Sequence, residues 1–277
     1  MDRRSELCIC DPVSGAVETV LRSERLIEAP NWAADGSLIV NGDGALFRVP
    51  LASPRLVRIE TGHLNRLNND HGISPDGRLL AISDKTEFDE SRIYLLPFSG
   101  GTPRLVTEAG PSYWHGWSPD GSTLAYVGKR DGTFQVCTCP VEGGPETRLT
   151  DGFDHCDGPD YSSDGQWLWF NGEVDGHVDL WRIPAGGGRP ERMTDDASVN
   201  WFPHPSPKGD EVLYLAYPAG TEGHPRDLDV ALRMLDERTG ATRTIVELFG
   251  GQGTINVPCW APDGTRFAFV RYARENG

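Results

Sequence analysis

Seven histidines are spread along the 277 residues: His63, His71, His115, His155, His177, His204 and His224. Neutral imidazoles together with carboxylates or amides can hold a divalent transition metal. Such an ion can acidify a sugar proton or a water. His115, His155 and His204 are the three side chains one ion would draw on, with Arg226 placed to pair the carboxylate of an acidic substrate. A second chemistry needs no metal. Tyr113, Trp114, Trp201 and Phe202, with Asn69, His71, Asp157, Asn200, His224 and Asn256, suit stacking on and hydrogen bonding to a peptide or a sugar. Neither chemistry has a decisive linear motif. There is no Gly-x-Ser-x-Gly elbow. Neither Gly186-Gly187-Gly188 nor Gly250-Gly251-Gln252-Gly253 opens a helix, as a phosphate loop would. The second of these runs precedes Asn256, where its backbone is expected to approach a ligand. Asp151, Asp154, Asp157 and Asp160 lack the calcium-loop pattern and read as a solvated loop.

The elements that must gather these residues are repeats. Trp117-Ser118-Pro119-Asp120-Gly121, followed by a short apolar run, reads as strand, tight turn, strand. Related copies place turn glycines at Gly36, Gly77, Gly121, Gly165, Gly209 and Gly264. A period in the range of 40 to 55 residues marks a repeat architecture. The first residues finish a repeat: Leu7 to Gly15 matches Ile93 to Gly100, so residues 1–25 supply third and fourth strands. Residues 256–277 supply only a first and second strand. The two halves unite only if the chain closes on itself, which removes exposed sheet edges. The expectation is an all-β chain forming one domain over 1–277, a six-bladed β-propeller of four-stranded blades. Blade five departs most, with an insertion between Ala216 and Asp229 ahead of a strand from Val230 to Leu235.

Strand direction alternates within a blade, so innermost-strand starts, second-to-third loops and inter-blade links share one face. All seven histidines map to that face, and the Asp-Gly turns map to the other. Asn68, Asn69, Asp70, Asp157, Asn200 and Asn256 occupy comparable positions near the axis, where amides can also simply cross-link blades.

Composition narrows the partners. A formal net charge of −15 opposes nucleic acid, whose binding leans on Lys and Arg. No apolar run reaches the roughly 18 residues of a membrane helix, so no membrane insertion is expected. The first residues carry no apolar signal region, and the chain as written reads as cytoplasmic. The six cysteines, Cys8, Cys10, Cys137, Cys139, Cys156 and Cys259, fall at apolar strand positions and lack the Cys-x-x-Cys spacing of zinc ribbons. They read as buried thiols.

The Ser-Pro-Asp-Gly turns, followed by aromatic-aliphatic strands such as Asp179-Leu180-Trp181-Arg182-Ile183-Pro184, resemble the propeller domain of the TolB family. The resemblance covers nearly the whole chain and implies a propeller that binds other proteins. Oligogalacturonate lyases look similar too, which would imply a metal in a histidine-bearing central site. The leading expectation is therefore a binding module that recognises a protein, peptide or glycan at the axial mouth of the histidine face. The alternative is a metal-dependent, lyase-like carbohydrate enzyme with His115, His155 and His204 as ligands. Fold alone implies neither.

Overall fold

The computed structural model describes residues 5–274; residues 1–4 and 275–277 of the expected domain lie outside the described residues. Among the described residues every regular element is a β-strand. Five antiparallel four-stranded sheets follow one another along the chain, spanning 28–59, 67–105, 112–148, 155–192 and 199–251. We call these blades one to five.

The chain ends build the sixth. Ser5–Cys10 pairs with Phe267–Tyr272 on one side, Leu7 opposite Val270, and with Val17–Ser23 on the other. Closure through the two termini is thus as expected. Its innermost strand is less regular than expected, so this sheet has three regular strands. Residues 254–260 run beside Phe267–Tyr272 through Val270 N to Thr254 O, Ala268 N to Cys259 O and an isolated bridge between Trp260 and Phe267. Pro258 within this segment has no N–H to donate, which interrupts a ladder.

The repeated turns explain why the motif is legible. In Ser118-Pro119-Asp120-Gly121 the Gly121 N–H closes on Ser118 O at 2.8 Å, and the Ser118 hydroxyl donates to Asp120 Oδ1 at 2.6 Å. Gly121 has φ of 72°. Proline at the second turn position and a glycine able to take positive φ are what this geometry needs. The third strand of blade five, Arg226–Asp236, begins four residues before the expected Val230. Its extra length pairs with an equally extended Thr242–Gly251.

The core lies between blades, where large side chains interlock. A Cβ on Gly72 of blade two would sit 1.9 Å from Cη2 of Trp114 in blade three, so the indole fills the space a side chain would take. The six cysteines are all free and buried. Burial pushes the Cys137 thiol up to about 12 and that of Cys139 to about 11, so they act as small apolar residues.

Leu7 is fully buried only because the closing blade forms, whereas Val13 in the next turn is 93% exposed. Leu7→Ala is expected to cost about 2–5 kcal/mol in denaturant unfolding, and Val13→Ala close to nothing. Equal effects would show that the termini do not complete the sixth blade.

Candidate functional site

Each of the five regular innermost strands is bulged, at Glu28/Asn31, Leu67/His71, Trp114/Gly116, Asp157/Asp160 and Trp201/His204. Ala29 and Phe202 have φ of 53° and 54° at these bulges, and Gly158 has 59°. A bulge re-aims the side chains beside it. Repeated round the ring, it turns a set of side chains toward the axis.

His115 sits where they meet. Its Nε2 lies 3.0 Å from Asp157 Oδ1 of blade four and 3.9 Å from Asp70 Oδ1 of blade two. Its Nδ1 faces the carbonyl of Asn256, in the closing blade opposite, at 3.2 Å. Its ring stacks on Phe202 of blade five, 6.3 Å between centroids and 22° between planes. One buried imidazole therefore touches four other blades.

Asp157 is the focal carboxylate. Besides His115, its Oδ2 is 3.6 Å from His224 Nε2 and 4.0 Å from His155 Nε2. His155 stacks on Phe134 at 4.8 Å, and Phe134 in turn meets Tyr113 at 6.3 Å. His224, from the blade-five insertion, binds the Gln252 side chain and lies 4.4 Å from Trp201. Tyr113, His155 and His224 are half-buried and form the aromatic wall of the mouth, with His115 beneath them.

The remaining residues named from sequence divide. Asn256 accepts from Gly253 N at 2.7 Å, and Asn69 is buried in the same innermost strand as Asp70. Arg226 pairs with Glu28 within the protein, where an incoming carboxylate was expected. Its guanidinium also lies 5.8 Å over the Tyr272 ring. His71, His204 and Asn200 are braces. His71 reaches Ile39 O of blade one at 3.4 Å, and burial lowers its pKa to about 4, leaving it neutral. Asn200 binds Thr194 and Asp196, each at 3.3 Å.

His204 does not join His115 and His155. Its nitrogens face Ile255 O at 2.6 Å and Asp160 Oδ2 at 3.0 Å. The expected three-histidine ligand set is therefore not assembled, and no group of three or more His, Cys, Asp or Glu among the described residues is arranged to hold a metal ion. The acidic loop is also corrected in part. Asp151 and Asp154 are exposed, but Asp160 is buried and Asp157 faces the axis. The glycine run is engaged internally: Gly253 O accepts from Ala29 N at 2.7 Å, and Gln252 O accepts from Tyr272 at 2.7 Å. His63 and His177 serve peripheral contacts with Glu87 and Asp196.

With this geometry in place, comparison with known proteins is informative. Residues 74–234 match the TolB beta propeller domain. An uncharacterized protein of Agrobacterium fabrum is 50% identical over 271 residues, covering 97% of this chain and 92% of its own length. A solved structure from Agrobacterium tumefaciens, provisionally named TolB, superposes with a TM-score of 0.96 at 49% identity, covering 99% of this chain and all (100%) of that one. The chain belongs to the TolB β-propeller family. TolB from Acinetobacter baumannii shares the fold at 17% identity, with a TM-score of 0.68 over 90% of this chain and 65% of that one.

Within this TolB-type propeller, charge at the axis is set by burial and proximity. Burial would lower the pKa of His115, but the hydrogen bond to Asp157 and the charge of Asp70 outweigh it and raise it. Burial would raise Asp157, but His115, with His224 and His155, holds it below the usual carboxylate range. Asp70 is different: burial dominates, and its carboxyl is pushed up to about 7. Tyr113 is raised by burial and then by the charges of Asp70 and Asp157.

The sign for stability follows by linkage. Folded Asp70 holds its proton up to about pH 7, whereas an unfolded aspartate releases it near 3.8. Between those values the folded state binds more protons, so this group's contribution falls as pH rises. The stability of wild type minus that of Asp70→Asn should therefore decline from pH 4 to pH 7 and then level off. A pH-independent difference in urea unfolding would contradict this.

Proposed function

We propose that this propeller is a binding module whose histidine-bearing mouth receives a segment of a partner polypeptide. The observation that carries the reading is the half-buried wall of Tyr113, Phe134, His155 and His224 above the buried His115–Asp157 pair. Folding stability alone gives no reason to cluster one carboxylate and three imidazoles at an axis, and such groups concentrate at functional sites. Aromatic faces supply area at small entropic cost, and the imidazoles supply hydrogen bonds whose donor or acceptor sense is adjustable. Membership of a family of TolB propellers supports protein recognition in the same direction. A glycan would use the same stacking surfaces, so the test must separate the two. The metal-dependent lyase reading rested on His115, His155 and His204 acting together, and His204 is committed to Asp160 and Ile255.

The full chain should enrich linear peptides from a displayed random library. Tyr113→Ala and His155→Ala should each weaken the selected peptides about tenfold or more, as expected for anchors worth over 1 kcal/mol. Binding on a glycan array without peptide enrichment, or peptides indifferent to both substitutions, would contradict the proposal.

A further inference from the structure

The axis has a second mouth. On the face of the Asp-Gly turns lies a cavity of about 460 Å³ lined by residues of all six blades. Its size falls in the range of small-molecule sites. Five aromatic residues contribute to its wall: Trp32, Trp114, Trp117, Tyr161 and Trp260. Asp160 supplies its carboxyl, and no Lys or Arg is among the described residues that line it. Asp160 is 8% exposed and engages His204 Nδ1 through Oδ2. Trp117 is 7% exposed, and its indole N–H has no hydrogen-bond partner among the described residues.

Three turns on the same face, in blades two to four, carry a carboxylate, and the equivalent position of blade five is Lys208. The carboxylates of Asp76, Asp120 and Asp164 each accept from the hydroxyl of their turn serine, at 2.6, 2.6 and 2.7 Å. These bonds favour the ionised form. A protein of net charge −15 further favours a cationic visitor. The wall already shows this affinity once, since the Arg266 guanidinium lies 5.3 Å over the Trp32 ring.

We infer that this cavity binds an alkylammonium group. The cation would rest against the indole faces, an arrangement used for quaternary ammonium ions, with Asp160 as its counter-charge. Such a group can belong to a free small molecule or to a lysine side chain. This site lies on the face opposite the proposed polypeptide mouth and does not depend on that reading.

Tryptophan fluorescence of the full chain tests the assignment, with three titrants: choline, its uncharged isostere 3,3-dimethyl-1-butanol, and N-acetyl-lysine N-methylamide. At least one cation should saturate the signal, and the isostere should bind about tenfold more weakly or worse. Choline binding tighter assigns a free small cation; the lysine amide binding tighter assigns a protein-borne one. Asp160→Asn should weaken the cation about tenfold, and Trp32→Ala, at a half-exposed position, about threefold. Tyr113→Ala and His155→Ala should leave it unchanged, which separates this site from the other mouth. The inference is overturned if neither cation saturates the signal, or if the isostere binds as well as choline. Unchanged cation affinity in a folded Asp160→Asn overturns it too, or in Trp32→Ala should Asp160→Asn not fold.

Discussion

A buried imidazole held across the axis is the constraint on which the rest of this propeller's functional geometry depends. His115 accepts nothing: each of its nitrogens faces an oxygen acceptor, Asp157 Oδ1 at 3.0 Å and Asn256 O at 3.2 Å. Carboxylates and carbonyls offer no proton at those positions unless the carboxyl is itself protonated, so these surroundings favour protons on both ring nitrogens, the direction in which the His115 pKa is drawn. A buried charge is tolerated when it is paired and hydrogen-bonded. Removing either member would leave the other stranded, which explains why Asp157 is drawn below and His115 above their ordinary ranges. Asp70, close to the same ring, cannot share that one positive charge on equal terms, and burial holds its proton on up to about pH 7.

The same contact divides the axis. His115 lies between Tyr113 and Trp117 on one strand, Ser112–Trp117, and these two residues belong to opposite mouths. On the Tyr113 side the walls are half-exposed and titratable. On the Trp117 side they are aromatic, with Asp160 as the carboxyl. The two mouths thus have different chemistry because a six-residue strand crosses the ring from face to face. Alternation along a strand would place every second side chain toward the axis, but the bulge at Trp114/Gly116 shifts the register and lets His115 reach it.

Much of this was legible in the chain itself. The turns stay readable because all six keep the glycine that takes positive φ, and those at Ser74 and Ser118 carry the full Ser-Pro-Asp-Gly frame. The mismatched ends at Leu7 and Val270 required closure. Strand parity assigned all seven histidines to one face. Parity could not say which imidazoles touch. That is decided by bulges of one residue, which leave no trace in composition, and they send His204 toward Asp160 and away from His155. Arg226 was misread because its partner Glu28 lies 198 residues earlier, in a blade whose first strand lacks the Ser-Pro frame. The aromatic mouth was overlooked for a plainer reason. Its indoles sit at core-like positions of blades one, three and six, and only their convergence with residues of the other three blades reveals a cavity.

The most direct measurement of the central claim is the protonation of His115, read from the imidazole nitrogen and proton resonances of labelled protein. The account requires His115 to carry protons on both Nδ1 and Nε2 at pH 7.5, and to become a neutral single tautomer in Asp157→Asn. A single protonated nitrogen in the wild-type ring at that pH would contradict it.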